Sequence, residues 1–188
     1  MIALERYLNS FGQSVVNKSI GNLKKKKKDV TGGLINSIKF NVVKTANGYE
    51  IDFSMIDYGK FVDKGVSGAG GEIKTGKNKG SYSGSNKFTD YKGQTMQSPF
   101  KYTNKQPPTK AFDKWVVMRG IAPRDAKGRF ITRQSLKFAI ARSIYIRGIE
   151  GISFFQKPLG LELKGFASGF GKAIKEDILN NLKTITAR

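Results

Sequence analysis

The chain has 188 residues, 38% of them apolar, and carries 34 Lys and Arg against 14 Asp and Glu, a net charge of +20. It contains no cysteine and no histidine, which excludes disulfides, thiolate zinc sites, Fe–S clusters and cysteine nucleophiles, and removes the commonest general base and transition-metal ligand. No run of about 18 apolar residues is present, so no membrane span is expected, and the length suits a single domain.

An excess of positive charge attracts nucleic acid, anionic membranes or acidic protein surfaces. Lys outnumbers Arg 26 to 8, which supplies charge without planar, bidentate readout. The opening Met1-Ile-Ala-Leu-Glu-Arg places an acid and a base where a signal peptide has its apolar stretch, so synthesis and assembly in the cytoplasm are expected.

In chain order, Ile2, Leu4, Leu8, Phe11, Val15, Val16 and Ile20 recur at helical spacing and predict an amphipathic helix over 2–20. Lys24, Lys25, Lys26, Lys27 and Lys28 form a run of like charges, read as a solvated loop or, alternatively, a phosphate-contacting patch. Asp29 or Thr31 is placed to cap a short helical turn. Residues 38–44 and 49–56 alternate or are β-branched, and Thr45-Ala-Asn47-Gly48 between them carries the Asn-Gly pair favoured in tight hairpins. Tyr49, Ile51, Phe53 and Met55 share one face of this hairpin, and Glu50, Asp52 and Ser54 the other. Residues 57–65 read as a short helix or turn bringing Tyr58 and Phe61 inward.

Residues 66–106 hold seven glycines, seven lysines and only two acids, Glu72 and Asp90. That composition predicts a long projecting loop or arm without a core of its own, with Phe88, Tyr91, Phe100 and Tyr102 as anchors. Residues 109–120 follow Pro107-Pro108 as a helix, and 121–132 form a turn around Pro123 and Gly128. Residues 134–147 predict a helix with Leu136, Ala139, Ile140 and Ile144 buried, stopped by Gly148. Residues 152–159 read as extended. A final helix over 169–185 carries Phe170, Ile174, Ile178, Leu182 and Ile185 on one stripe. The layout is α+β: an N-terminal helix, a small antiparallel sheet with its hairpin over 38–56, an inserted arm, and C-terminal helices.

Three patterns invite a chemical reading. Gly71-Glu-Ile-Lys-Thr-Gly76-Lys77-Asn78 approaches a phosphate-binding loop. Asn78 stands where the Mg²⁺-binding hydroxyl is needed, however, and neither the preceding strand nor the following helix is present. Asp52, Asp57 and Asp63 are conceivable ligands for a nuclease metal, but fit exposed ion pairs better among so many bases. The arm, with Lys74, Lys77 and Lys79 and the aromatics Tyr82, Phe88, Tyr91 and Tyr102, has the ingredients of single-strand binding by stacking and phosphate contact. No recognised nucleic-acid-binding motif accompanies it. Trp115, beside Phe112 and Val116, reads as core.

Three stretches together resemble the tail-completion, or head–tail joining, proteins of tailed bacteriophages. Asp29-Val-Thr-Gly32-Gly-Leu34-Ile-Asn-Ser37-Ile38 is similar to the family's approach to its first strand. Tyr58-Gly59-Lys-Phe61-Val62-Asp63-Lys-Gly65 is similar to its Tyr-Ala-x-x-Val-Glu-x-Gly-Thr turn, with Gly59 for Ala, Asp63 for Glu and Val66 for Thr. Ile144-Tyr-Ile-Arg147-Gly148-Ile149-Glu-Gly-Ile-Ser-Phe154-Phe155-Gln-Lys-Pro158-Leu159 is similar to the segment before the family's last helix. The resemblance covers about half of the chain and leaves residues 66–106 and 121–132 without a counterpart. It implies a non-enzymatic virion protein of the neck or tail, without cofactor or metal. Such a subunit closes into a six- or twelve-fold ring with copies of itself and meets portal, adaptor or tail proteins, or viral DNA in the channel. Tyr58, Phe61, Asp63, Gly65, Phe154 and Phe155 are its expected interface or turn residues. The remaining reading is a sequence-independent nucleic-acid-binding protein, with Lys24–Lys28, Lys74, Lys77 and Lys79 as its polyanion contacts.

Overall fold

The computed structural model describes residues 2–28, 31–74, 78–121, 124 and 128–186. The fold is α+β, with helices at both ends of the chain and small antiparallel strand pairs between them. No described helix is long and apolar enough to cross a membrane. The chain forms two compact units, Met1–Gly59 with Asp90–Gln94 and Phe154–Arg188, and Lys60–Thr89 with Thr95–Ser153.

The first unit is built on α1 (Ile2–Lys25) and α6 (Gln156–Thr186), which lie side by side. The helical spacing of α1 buries Leu4, Leu8, Phe11, Val15, Val16 and Leu23. Leu4, Leu8 and Ala173 form a core against which Val42, Tyr49, Ile51, Phe166, Phe170 and Ile174 pack. Phe166 meets Phe11 edge-on at 4.9 Å and stacks on Phe170 at 5.5 Å, a geometry that adds to the apolar burial. Two glycines set the spacing. A side chain at Gly12 would collide with the Phe40 ring, and one at Gly169 with the Tyr7 ring.

The hairpin joins β1 (Lys39–Thr45) to β2 (Gly48–Ser54), with Thr45 opposite Gly48. Its tip residues are therefore Ala46 and Asn47, both at negative φ, and Gly48 takes the unusual φ of 151°. The Asn-Gly pair thus marks the turn one residue off the expected register. Tyr49, Ile51 and Phe53 are half-buried on one face, as the alternation requires. Helix α2 (Gly33–Ser37) precedes the hairpin. Gly32 at φ 76° occupies its N-cap without a side-chain hydrogen bond, so Thr31 does not cap it; Asp29 lies outside the described residues.

Helix α6 begins at Gln156, which corrects the extended reading of 152–159. Pro158 is the helix's third residue, where its missing N–H costs no intrahelical bond. Along the helix, Gly160 has room only for the Tyr91 carbonyl, which the turn Asp90–Gln94 presents.

In the second unit, α3 (Gly59–Lys64) leads into β3 (Val66–Ser67), which pairs antiparallel with β8 (Gly148–Ile149). Residues 66–106, expected as a projecting arm, are laid down as further strand pairs: β4 (Gly71–Ile73) with β5 (Gly80–Tyr82), and β6 (Lys87–Thr89) with β7 (Thr95–Gln97). A short 3₁₀ turn (Thr109–Phe112) and α4 (Asp113–Met118) replace the continuous helix expected over 109–120. In α5 (Arg133–Arg147), Thr132 caps the N-terminus by accepting from the Ser135 N–H. The residues it buries are Ala141 and Ile146, whereas Leu136, Ile140 and Ile144 are only half-covered and Ala139 is exposed. Of the turn over 121–132, Arg124 and Phe130 form an isolated bridge; Pro123 is not among the described residues.

Asp177 clasps the two long helices. Its Oδ1 accepts from the Ala3 N–H and its Oδ2 from the Leu4 N–H, both at 2.9 Å. One carboxylate thereby serves the otherwise unpaired N–H groups and positive dipole end of α1. Burial pushes the Asp177 carboxyl up, but the backbone donors of Ala3, Leu4 and Ile2 outweigh it and hold it below the usual carboxylate range. A carboxyl lowered by folding stabilises the fold above its unfolded pKa of about 3.9, and that stability fades as the pH falls toward the lowered folded value. Thermal melts followed by circular dichroism check this. Asp177→Asn is expected to melt lower than wild type at pH 7, with the gap closing below about pH 4.

Candidate functional site

Two of the family-like stretches meet in the second unit. The Val62 carbonyl accepts from the Ile152 N–H at 3.2 Å and the Asp63 carbonyl from the Ser153 N–H at 2.9 Å. The next residues continue as the β3–β8 pair, with Val66 opposite Ile149. The last carbonyls of α3 are thus satisfied by the backbone that follows β8, beside the short β3–β8 pair.

Glycines make this close approach possible. Gly65 has φ 73°, and a Cβ there would stand 2.5 Å from the Gly151 nitrogen. A Cβ on Gly151 would lie 2.6 Å from the Lys64 carbonyl carbon, and one on Gly84 2.5 Å from the Gly68 carbonyl oxygen. At Gly68 and Gly148 the clash would be with the Ile146 and Val66 carbonyl oxygens. At this crossing Ala69 and Gly70 donate to the Tyr145 and Ile146 carbonyls, at 2.8 and 3.1 Å. The loop from the presumed arm thus satisfies the last carbonyls of α5. Asn86 ties the crossing further. Its Nδ2 donates to the Arg147 carbonyl at 2.7 Å and to the Val66 carbonyl at 3.1 Å.

The expected interface residues divide. Asp63 is buried, Gly65 is at the crossing, and Phe61 is half-buried edge-on against Phe100 at 4.7 Å. Ser98 Oγ donates to the Gly65 carbonyl at 2.8 Å. In the first unit, Phe154 is fully buried and Phe155 packs edge-on against Phe53 at 5.3 Å. Asp63 and Phe154 are thus interior groups of their own units, and Phe61 and Phe155 are half-buried. Tyr58 is 45% exposed, so it does not turn inward as expected.

The candidate lysines belong to both units. Lys24 and Lys25 end α1, and Lys26, Lys27 and Lys28 wind on in a hydrogen-bonded turn, with all five side chains exposed. Cations there complement the negative end of the helix. Lys74 and Lys79 are exposed at the β4–β5 hairpin, and Lys77 lies outside the described residues. The glycine-lysine motif from Gly71 thus spans a hairpin rather than a strand-loop-helix. Asp52 and Asp57 are exposed, and among the described residues no group of three acids is placed to hold a metal ion.

A polar cleft of about 730 Å³ opens beside the crossing, lined among others by Tyr82, Asn86, Lys87, Gln97, Arg147 and Glu150. The Arg147 guanidinium lies over the Tyr82 ring at 5.2 Å, a cation–π arrangement. The cleft offers charge, amide groups and an aromatic face, which suits recognition of an extended anionic chain. Arg147 and Asn86 are 61 positions apart, so spacing carries no signal for this cluster. Tyr82 alone stood out in the sequence as an aromatic among basic residues. Trp115 is half-buried with Arg119 over its ring at 5.9 Å, next to the buried Val116.

Comparison with protein-family profiles, with curated proteins and with solved structures gives no match.

The crossing predicts a sharp contrast among glycines. Gly148→Ala forces a Cβ onto backbone at a positive φ, and overpacking plus left-handed strain should cost roughly 3 kcal/mol. Gly171→Ala, within α6 and facing open space, should instead gain about 1 kcal/mol from helix propensity. Urea denaturation of the two variants measures both; similar effects would contradict the crossing.

Proposed function

We propose that this chain is a non-enzymatic structural subunit of the neck or tail-completion ring of a tailed bacteriophage, joining the portal end of the head to the tail. The observation that carries the reading is the contact between the end of α3 and the segment that follows β8. The Tyr58–Gly65 and Ile144–Leu159 stretches resemble two motifs of that family in the family's order, and backbone hydrogen bonds join residues 62–63 to 152–153.

The surface supports the same reading. A net charge of +20 per copy would drive copies apart unless acidic neighbours or DNA offset it. Portal, adaptor and tail proteins, or the genome end in the channel, are the partners with that chemistry. In this reading the protein assembles in the host cytoplasm and resides in the virion.

The polar cleft favours a second reading, sequence-independent nucleic-acid binding, in which Tyr82 stacks on a base while Lys87 and Arg147 contact phosphate. Mass spectrometry and electron microscopy of purified virions test the first reading. The chain is expected at the neck in a closed ring, and its absence from virions sinks the proposal. Anisotropy titration of labelled single-stranded DNA over a salt series tests the second. A steep fall in affinity with salt, with the slope reduced by about 0.7 for each phosphate contact removed by Lys87→Ala or Arg147→Ala, would favour it.

A further inference from the structure

Arginine is not distributed along this chain as lysine is. Six of its eight arginines, Arg119, Arg124, Arg129, Arg133, Arg142 and Arg147, fall between residues 119 and 147, where only two of the 26 lysines lie and Asp125 is the single acid. All six are exposed and belong to the second unit. A surface that needed only positive charge could be built from lysine, the chain's ordinary base. Arginine adds what lysine lacks: a planar fork for phosphate and a flat face that stacks on rings.

Three of the six already lie over an aromatic ring: Arg119 over Trp115 at 5.9 Å, Arg124 over Phe130 at 4.0 Å and Arg147 over Tyr82 at 5.2 Å. The Arg124–Phe130 pair is the most closely built. The two residues form an antiparallel bridge, and Arg124 also donates to the Gly128 carbonyl at 2.9 Å. Its guanidinium is thereby held in place before any partner arrives. Phe130 nonetheless remains 70% exposed. An exposed ring backed by a fixed cation offers a base a surface to stack on and its phosphate a fork to bind. An acidic protein would use the fork and leave the ring idle.

Helix α5 joins the Phe130 and Tyr82 pairs. Phe130 stands two residues before the Thr132 cap, and Arg147 is the last residue of the helix. From Arg133 to Arg147 the helix rises about 21 Å, and these two arginines return to the same face to within about 40°. Arg142 lies on roughly the opposite face. We propose that single-stranded nucleic acid lies along α5, with bases stacked on Phe130 and Tyr82 and phosphates held by Arg124, Arg133 and Arg147. The proposal rests on the nucleic-acid reading above and extends it: the strand leaves the polar cleft at Arg147 and continues to the other end of α5. A row of this length suits a site of about four nucleotides, the short end of the single-strand range.

Anisotropy titration of the full chain with fluorescein-labelled oligothymidylate of about 12 nucleotides, long enough to cover the row, tests it. Phe130→Ala should weaken binding at least about fivefold without changing the salt slope, because a ring and no charge is lost. Phe130→Tyr, which keeps the ring, should bind as wild type does. Arg124→Ala and Arg133→Ala should each reduce the slope by about 0.7, while Arg142→Ala, the same charge change on the other face, should leave it unchanged. If Phe130→Ala melts lower than wild type, Phe130→Leu replaces it with the same expected loss, since it keeps apolar bulk and removes the aromatic face. Unchanged affinity on removing the ring, or equal effects of Arg142→Ala and Arg133→Ala, overturns the row. Displacement of the oligonucleotide by polyglutamate at equal charge concentration also overturns it, because an acidic protein surface would then serve as well. The two readings fail separately. A wild type that does not bind the oligonucleotide defeats both, whereas binding weakened by Arg147→Ala but untouched by loss of the Phe130 ring defeats only the row and leaves the cleft reading standing.

Discussion

The second unit depends on one steric constraint: several backbone segments pass through a space that admits no side chain. Gly65, Gly68, Gly84, Gly148 and Gly151 stand where those segments cross, each with backbone atoms where a Cβ would go. Close approach is what lets β3 pair with β8. It also lets the loop at Ala69 and Gly70 reach the carbonyls at the end of α5, and lets the Asn86 amide bridge Val66 and Arg147. The polar cleft follows from the same geometry, because Arg147 and Gly148 are held at the end of a helix whose last carbonyls are already satisfied.

The first unit is organised by a different device. Aromatic rings fill the contact between α1 and α6, and Gly12 and Gly169 give Phe40 and Tyr7 their places. A carboxylate at the end of the contact fixes the register. Asp177 binds the first N–H groups of α1 with both oxygens, and at the other end Glu162 accepts from Ser14 at 2.8 Å and pairs with Lys18. The Lys18 hydrogen bond holds the Glu162 carboxyl below its usual range, although burial opposes it. Register fixed at Asp177 leaves the following residues of α6 past the first turn of α1. That is why the apolar stripe of α6 is covered to Ile174 and bare from Ile178 onward.

Periodicity made much of this legible. The 3.6-residue recurrence in α1 and the alternation in β1 and β2 were sufficient because each element packs one regular face. The α5 stripe misled because that helix buries Ala141 and Ile146 and leaves Leu136, Ile140 and Ile144 only half-covered. Pro158 misled because proline forbids a helix interior but not its first turn. The glycines of residues 66–106 misled most. Glycine raises chain entropy where it is free, which argues for a loose arm. The same missing side chain permits contacts no other residue allows, and composition cannot distinguish the two uses. Arg147, Lys87 and Tyr82 were invisible as a group because only the crossing assembles them.

The charge gains a sharper meaning from its placement. Lys24 to Lys28 sit together at the end of α1 in the first unit, and Lys74 and Lys79 are on a hairpin of the second, so the excess does not lie on a single element. Spread charge raises attraction to any polyanion and sets no orientation. Orientation must then come from shaped surfaces, and the described residues offer two: a polar cleft with a stacked Arg147–Tyr82 pair, and an apolar cleft beside α5.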